Sequence, residues 1–355
     1  MRPTDLELTP REVAALIAFR KAQITPPVPP DRPAGVRPTV ILIGGTPGTG
    51  KTTLQWQIQQ SLGADSLAVY DFDDDSAAHP RFDRIMRTLG LRGHQAVTEQ
   101  LPRNLRFQLL EHLRRGDPQY DILASAPLHR DILVRGWVDD FRSAKYRIVV
   151  AYAVTHPANS MLGRAERFQR AYDDTGIGRW VDPAVARRPD GLVPETAHFL
   201  ESTAYADDLY IVDRNGFVLY ENHRDQDGRM PGPWQARKAI LDEFGRPPTP
   251  AEYERFVASA VPLLDRRGEL LRPVAEEVQR AWELHELRPP PVPDARGSLV
   301  RLDQGLAELH RVTGAGIASA RTIGSPRADR TDQADRTGST REPMSRPSPD
   351  RTPDR

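Results

Sequence analysis

The segment that most constrains the fold is GTPGTGKT, residues 45–52, which follows the β-branched apolar run TVILI at residues 39–43. It matches the pattern G-x-x-x-x-G-K-[ST] in full. Glycines let the backbone curl so that consecutive N–H groups point at one anion, and the helix predicted from Thr52 adds its positive end. A chance glycine turn is the alternative. The buried-type strand before the loop and the amphipathic segment after it favour a phosphate-binding loop.

Each part of this loop has a predicted role in binding a nucleotide with Mg²⁺. The Lys51 ammonium would reach the β- and γ-phosphates, and the Thr52 hydroxyl would coordinate the metal ion. The residues expected to contact the nucleotide are Gly45, Thr46, Pro47, Gly48, Thr49, Gly50, Lys51, Thr52 and Thr53.

Further apolar runs alternate with helical patterns along the chain. Strands are predicted at residues 39–43, 66–70, 120–124, 146–154 and 208–212. Helices are predicted between the first four, at residues 52–62, 104–115 and 132–144. Alternating strands and helices predict an α/β fold of the P-loop NTPase or kinase type, with a mostly parallel sheet flanked by helices.

The chain divides into four predicted segments. Residues 1–37 contain a short helix, capped at Thr9-Pro10, and a proline-rich linker. Residues 38–225 form the α/β domain and residues 226–315 a helical extension. Residues 316–355 consist largely of Arg, Asp, Ser, Thr and Pro, which predicts a disordered tail. Within the extension, helices are predicted near residues 249–265, 267–287 and 302–312.

Composition excludes several classes of function. Lys+Arg and Asp+Glu are both 49, so no overall field attracts nucleic acid or anionic lipid. The absence of cysteine excludes disulfides, thiolate metal sites and a cysteine nucleophile. No apolar run approaches the ~20 residues of a membrane span, and the first residues lack a signal-peptide pattern. We therefore expect a soluble, cytoplasmic protein that binds neither nucleic acid nor membrane.

The second predicted strand ends in four carboxylates among residues 71–75. Because parallel strands end at one edge of a sheet, Asp71 and Asp73 should lie beside the phosphate loop, where its lysine and Mg²⁺ offset their charge. Alternation along an extended segment would put both on one side and Phe72 on the other. One carboxylate would hold a metal-bound water, and the other, preferably Asp73, would accept a proton from a substrate hydroxyl. The alternative is an acidic loop that caps a helix near residues 79–86.

Four segments resemble the zeta toxin family in order and approximate spacing. They are GGTPGTGKTTL, DFDDDSAAHPRFD, LGRAERFQRAYDDTGIGR and DDLYIVDRNG, and the resemblance spans about residues 38–222. Zeta toxins are P-loop kinases that phosphorylate UDP-N-acetylglucosamine at the sugar 3′-hydroxyl. The resemblance implies an ATP- and Mg²⁺-dependent kinase. It also implies a possible antitoxin partner, because in the family a separate antitoxin protein blocks the nucleotide site.

The resemblance assigns roles to individual residues of the acidic cluster and the loop. Asp73 matches the family's general base. Lys51 and Thr52 match the loop lysine and the Mg²⁺-binding hydroxyl. With Asp73 as the base, Asp71 is the carboxylate left to act as the second predicted metal ligand.

Two arginines complete the predicted catalytic set. Arg167 and Arg179 match the family's pair on a lid-like helix, whose forked donors neutralise charge on the transferring phosphate. By spacing alone, Arg164, Arg167 and Arg170 would form one basic stripe on a solvated helix. The resemblance changes that interpretation for Arg167 only.

The substrate side departs from the family pattern. In the family, the strand after the middle helix ends in Glu-Gly-Thr-Gly-Arg, whose Glu, Thr and Arg hold the UDP-sugar. Here those three positions are Ala124, Ala126 and Leu128, and an acidic residue on the preceding helix is replaced near Phe107. Losing polar partners together predicts a rebuilt pocket, because their counterparts would otherwise be unpaired. The polar residues available to rebuild it are Ser125, His129 and Arg130.

Two classes of function fit these features. The first is a kinase that acts on a hydroxyl of a small molecule, either UDP-N-acetylglucosamine or another sugar, nucleotide or alcohol. The second is a nucleotide-binding interaction protein without phosphotransfer, which the altered pocket favours. A substrate-free ATPase would need a residue that positions water, and no candidate stands out.

Overall fold

The computed structural model describes residues 6–33, 35–63, 65–187, 189–294 and 299–313. The strands are β1 (Thr39–Gly44), β2 (Leu67–Asp71), β3 (Asp121–Ser125), β4 (Arg147–Ala153), β5 (Asp208–Val212) and β6 (Val218–His223). In these ranges they form one sheet in the order β2-β3-β1-β4-β5-β6. Neighbouring strands are parallel except β5 and β6, which are antiparallel. The predicted mostly parallel sheet is therefore confirmed.

Helices surround this sheet. Those in the described ranges are α1 (Pro10–Ile24), α2 (Lys51–Leu62), α3 (Phe72–Ala77), α4 (Phe82–Leu89), α5 (Gly93–Gln100), α6 (Leu105–Arg114), α7 (Asp131–Ser143), α8 (Pro157–Thr175), α9 (Pro183–Arg187), α10 (Val193–Ser202), α11 (Ala236–Gly245), α12 (Pro250–Asp265), α13 (Arg272–Glu286) and α14 (Leu302–Thr313). None of these helices is both long enough and apolar enough to cross a membrane.

The central strand β1 supplies side chains to both faces of the sheet. Ile41 and Ile43 pack with residues of α2 and α14, whereas Val40 and Leu42 pack with residues of α6, α7 and α10. All four side chains are at most 1 % exposed. A strand buried on both faces is apolar along most of its length, which explains the continuous run VILI at residues 40–43.

Besides the two apolar clusters on the faces of the sheet, a third lies between α8 and the C-terminal helices α12 and α13. These helices occur where the extension was predicted, although α13 begins at Arg272 rather than at residue 267. The later start has a local cause, because residues 266–269 form a turn and Pro273 occupies the first turn of the helix. The division into four segments stays a prediction, and the tail at residues 316–355 lies outside the described residues.

The chain before β1 is attached to the sheet at several points. The cap predicted at Thr9-Pro10 is confirmed, since the Thr9 hydroxyl accepts from the Glu12 amide and the Glu12 carboxylate accepts from the Thr9 amide. In the proline-rich segment, Arg32 forms an ion pair of 3.0 Å with Asp121 at the start of β3. This segment therefore contacts the amino end of β3.

Candidate nucleotide-binding site

The loop between β1 and α2 has the backbone conformation that an anion cradle requires. Gly45, Gly48 and Gly50 have φ angles of +131°, +92° and +100°, which residues with side chains rarely adopt. Space is also restricted, because a Cβ on Gly48 would lie 2.2 Å from the Ser160 carbonyl oxygen. Helix α2 begins at Lys51, so its positive end adjoins the loop.

The Lys51 ammonium group is hydrogen-bonded to the loop and lies near other positively charged side chains. Its Nζ donates to the carbonyl oxygens of Gly45 and Thr46, each at 2.9 Å. Desolvation, followed by the charges of Arg167 and Arg179, lowers the pKa of Lys51 to about 7. An anionic ligand would relieve this electrostatic crowding.

Side chains of the loop differ in what they can offer to a ligand. Thr46 and Thr49 are 3 % and 1 % exposed, and the Thr49 hydroxyl donates to the Thr46 carbonyl at 2.9 Å. The Thr49 hydroxyl therefore stabilises the loop from inside, whereas the Thr46 side chain hydrogen-bonds Asp190. Pro47 has no N–H, whereas Thr52 and Thr53 are exposed at the start of α2.

The sheet brings the acidic cluster to the same edge as the phosphate loop. Ser125, the last residue of β3, is in register with Ile43 of β1 and with Asp71 of β2. The phosphate loop and the acidic cluster therefore flank the carboxyl end of β3. This is the edge at which ligands bind in parallel α/β sheets.

The predicted extended conformation of the acidic cluster is wrong. Helix α3 begins at Phe72, and Asp71 is its N-cap, with a carboxylate oxygen that accepts from the Asp73 amide at 2.9 Å. Capping satisfies an otherwise unpaired helical N–H, and this local interaction replaces strand alternation. Burial raises the pKa of Asp71, while the positive charges of Arg179 and Lys51 oppose that shift.

The two predicted catalytic arginines converge on this edge. Arg179 forms an ion pair with Asp73, and its Nε is a buried atom that has no hydrogen-bond partner within the described residues. Desolvation lowers the pKa of Arg179 to about 10, against the opposing charge of Asp71. The charge of Arg167, on α8, acts on both Lys51 and Asp71. The structure thus places all five charged site residues in one electrostatic cluster.

The prediction that Arg164 is solvated is wrong. Its side chain is 4 % exposed and pairs with Glu277 of α13, which is fully buried. Arg170, by contrast, is exposed and pairs with Glu166 at 2.8 Å, as expected for a solvated position. Helical spacing places the arginines on neighbouring positions but carries no information about α13, which covers one side of α8.

The N-terminal helix α1 contributes a positive charge to the acidic cluster. Arg20 Nε lies 2.8 Å from Asp75 Oδ1, and these side chains are 4 % and 0 % exposed. The Tyr70 hydroxyl donates to the other Asp75 oxygen at 2.6 Å, and Arg20 Nη2 donates to the Asp71 carbonyl at 3.3 Å. Repulsion within the cluster is therefore offset by Arg179 on one side and Arg20 on the other. A cluster of acids implies a nearby cation, but no local pattern predicts Arg20 as that cation.

The positions that depart from the family pattern are apolar and buried. Ala124, Ala126 and Leu128 are at most 3 % exposed and belong to the core beneath the sheet edge. The Tyr152 hydroxyl donates to the Leu128 carbonyl at 2.8 Å. Phe107, on α6, is 44 % exposed. This side of the site therefore lacks the polar side chains that the family pattern would place there.

Polar residues nearby differ in their access to the site. Ser125 is half-buried at the end of β3, and Arg130 is the exposed residue before α7. Burial, and then the charges of Arg130 and Lys51, lower the pKa of His129, which places its ring within electrostatic reach of the phosphate loop. His94, on α5, was not predicted; burial and then the charge of Arg167 lower its pKa to about 4.

Metal binding at this edge would depend on few protein ligands. Among the described residues, no three His, Cys, Asp or Glu side chains are grouped closely enough to hold a metal ion by themselves. Mg²⁺ at nucleotide sites is bound by one or two protein groups together with phosphates and water. The predicted ligands Thr52 and Asp71 fit that manner of binding.

The sheet order, the glycine conformations and the loop lysine define the class: a P-loop kinase-like α/β protein. Residues 29–225 match the family model described as Zeta toxin, so the chain belongs to the zeta toxin family.

Curated relatives agree with this assignment. The chain is 25 % identical over 195 residues to Toxin zeta of Streptococcus agalactiae and 26 % identical over 191 residues to Toxin zeta of Enterococcus hirae. Each match spans 52 % of this chain, and 63 % and 64 % of the respective relatives, so less than two thirds of their length is covered. A solved structure from the PezAT chromosomal toxin–antitoxin system of Streptococcus pneumoniae has a TM-score of 0.58 at 16 % identity, covering 81 % of this chain and 99 % of that chain. That likeness shows a shared fold.

Proposed function

We propose that this protein is an ATP-dependent kinase that transfers the γ-phosphate to a hydroxyl group of a small molecule. The observation that carries the proposal is the ion pair between Asp73 and Arg179, formed beside the phosphate loop and Lys51. A proton acceptor and the cations of a phosphate clamp are the two components that phosphoryl transfer to an alcohol requires. Membership in the zeta toxin family supports the same chemistry.

The nucleotide proposed is ATP with Mg²⁺, and several features of the loop support it. The left-handed glycines, the adjoining helix end and the unpaired Nε of Arg179 would all be satisfied by phosphate oxygens. Lys51, Arg167 and Arg179 would bind the phosphates, and Thr52 and Asp71 would hold the metal ion. When bound, Mg-ATP supplies the electrophilic phosphorus.

Asp73 is the proposed base. Its carboxylate would accept the proton of the acceptor hydroxyl as the hydroxyl oxygen forms a bond to the γ-phosphorus and the bond to the ADP oxygen breaks. The contact with Arg179 gives this carboxylate a further property. Phosphates that bind Arg179 would compete for its N–H groups and so release Asp73 for proton transfer.

The acceptor proposed is a sugar, a nucleotide or another small alcohol. UDP-N-acetylglucosamine is the first to test, because the resemblance implies it. The buried, apolar Ala124, Ala126 and Leu128 support an acceptor held by other groups, with Ser125 and His129 as candidates.

A second function is favoured by the same apolar positions. If they mark the loss of the acceptor pocket, the protein would bind nucleotide and act through another macromolecule without phosphotransfer. A protein antitoxin is the proposed partner in either case, because the solved structure of similar fold comes from a toxin–antitoxin system. We place the protein in the cytoplasm, where ATP is available.

The decisive experiment uses γ-labelled ATP, Mg²⁺ and a metabolite extract. Wild type is expected to label a small molecule, and Asp73→Asn to bind ATP but transfer label about 10²–10⁴-fold more slowly. Lys51→Ala is expected to lose nucleotide binding, whereas Lys238→Ala, at an exposed lysine of α11, should behave as wild type. Tight ATP binding without transfer by wild type would favour the interaction protein. Unchanged affinity in Lys51→Ala would contradict the site itself.

A further inference from the structure

A buried ionic contact joins the C-terminal helices to α8. Glu277 of α13 is fully buried and pairs with Arg164, whose side chain is 4 % exposed. The second Glu277 oxygen lies 3.8 Å from Arg280 Nη1. Glu277 lies outside residues 29–225, the part of the chain that matches the zeta toxin family.

Arg164 continues this contact to the phosphate loop. Its Nη1 donates to the Pro47 carbonyl at 3.0 Å and to the Ser160 hydroxyl oxygen at 3.1 Å. The Ser160 hydroxyl donates to the same Pro47 carbonyl at 2.7 Å. One carbonyl of the loop therefore accepts from two side chains of α8, which fixes it on the α8 side.

The loop and α8 also meet through their backbones. A Cβ on Gly48 would lie 2.2 Å from the Ser160 carbonyl oxygen, and a Cβ on Gly163 would lie 3.1 Å from the Gly48 carbonyl oxygen. At this separation the loop cannot move toward α8 unless α8 moves as well, and the hydrogen bonds to the Pro47 carbonyl oppose movement away. The position of α8 against α13 is therefore coupled to the shape of the cradle.

Stability alone does not explain why a charged pair occupies this position. Removing two charges from water is costly, and an apolar pair of similar volume is often as stable. What an apolar pair could not supply is a second donor, beside the Ser160 hydroxyl, for the Pro47 carbonyl. The charge of Arg164 also acts on Lys51, so Glu277 balances a cation that would otherwise add to the crowding at the loop.

We propose that Glu277 is a positioning residue of the nucleotide site: it orients Arg164, which holds the Pro47 carbonyl and thereby the phosphate-binding backbone. The proposal rests on the proposed nucleotide binding. It adds that a helix outside the family match determines the affinity for the triphosphate. Asp190, which also lies within electrostatic reach of Arg164, balances part of the charge when Glu277 is absent.

The test measures the dissociation constant of a non-hydrolysable ATP analogue with Mg²⁺ by calorimetry, on the full chain. Glu277→Gln should weaken binding about tenfold, as expected when a charge-assisted hydrogen bond to the loop loses its orientation. Glu276→Gln is the matched control, because this neighbouring glutamate pairs with Arg272 at the surface. It should change affinity by less than about twofold.

A second variant separates positioning from folding. The double substitution Arg164→Met with Glu277→Met removes both charges and keeps apolar volume, so the fold should be retained. It still loses the Arg164 donor to the Pro47 carbonyl and leaves the Ser160 hydroxyl, and binding should again weaken about tenfold. Thermal unfolding of each variant reports folding independently. A purely structural role would lower the unfolding temperature and leave the affinity of the folded molecules unchanged.

The outcomes distinguish the two proposals. Failure of the wild type to bind the analogue would overturn the proposed function and this inference together. Binding by the wild type with equal affinity in Glu277→Gln and in the double variant would overturn this inference alone. If Glu277→Gln does not fold, the double variant decides. If neither folds, the pair is a requirement for folding and the positioning role is refuted.

Discussion

Replacement of Arg20 by Met should destabilise the protein by about 3 kcal/mol, because it leaves the Asp75 carboxylate buried without its cation. The two side chains are 4 % and 0 % exposed and lie 2.8 Å apart. Loss of one partner of such a pair costs about 3–5 kcal/mol. The lower end applies here, since the Tyr70 hydroxyl still donates to Asp75 at 2.6 Å. Methionine preserves most of the packing of the arginine stem.

Urea unfolding followed by circular dichroism measures this loss as a lower midpoint with an unchanged slope. Arg11→Met, at an exposed position of the same helix, is the control and should stay within about 0.5 kcal/mol of wild type. Adding Asp75→Asn to Arg20→Met removes the orphaned charge and should recover about 1 kcal/mol or more.

The pH dependence of the Arg20→Met deficit provides a further check. Burial already raises the pKa of Asp75, and removal of Arg20 would raise it further. A carboxyl with a raised pKa becomes neutral at a higher pH and then ceases to destabilise the fold. The deficit should therefore be smaller at pH 5 than at pH 8. A loss of less than about 1 kcal/mol at pH 8 would refute the reasoning, because a buried orphaned charge costs more than that.

Three further predictions concern Gly48 of the phosphate loop, the proposed phosphate-binding residue Arg179, and His223 of the edge strand β6. Gly48→Ala should lower the free energy of unfolding, measured with urea, by more than about 1 kcal/mol, because its Cβ would strike a backbone carbonyl of α8. Gly136→Ala, at an open position in a helix, is the control and should raise the free energy of unfolding by about 0.5–1 kcal/mol. Arg179→Lys should slow phosphoryl transfer to an identified acceptor at least about tenfold, because a lysine has no planar fork of donors. The hydrogen bond to Asp208 raises the pKa of His223. The protonated ring therefore stabilises the fold, by under about 1 kcal/mol at this half-exposed site; this contribution is present below pH 6.5 and is lost as the pH rises through the raised pKa. His223→Gln should abolish this pH dependence of the stability.

The elements that the sequence predicts well are those whose signals are local. β1 to β5 lie within a few residues of their predicted positions, because continuous apolar runs identify strands buried on both faces. The phosphate loop is a single contiguous motif, so its conformation follows from its own residues. β6, with the sequence VLYENH, is an antiparallel edge strand that was not predicted: its apolar residues are only partly buried, and its second half is polar.

Contacts between distant residues could not be predicted in the same way. Arg20 and Asp75 are 55 residues apart, and Arg164 and Glu277 are 113 residues apart. Each of these side chains looks solvated when only its own helix is considered. The error at α3 has a different cause, because Asp71 carried a usable N-cap signal. There two local patterns competed, and helix capping prevailed over strand alternation.

The two buried ion pairs bear on how small a working version of this protein can be made. Arg20 precedes the segment that matches the zeta toxin family, and Glu277 follows it. A fragment trimmed to residues 29–225 would keep Lys51, Asp73, Arg167 and Arg179, yet would contain Asp75 and Arg164 without their buried ion-pair partners. The smallest self-sufficient unit is therefore expected to extend from α1 through α13.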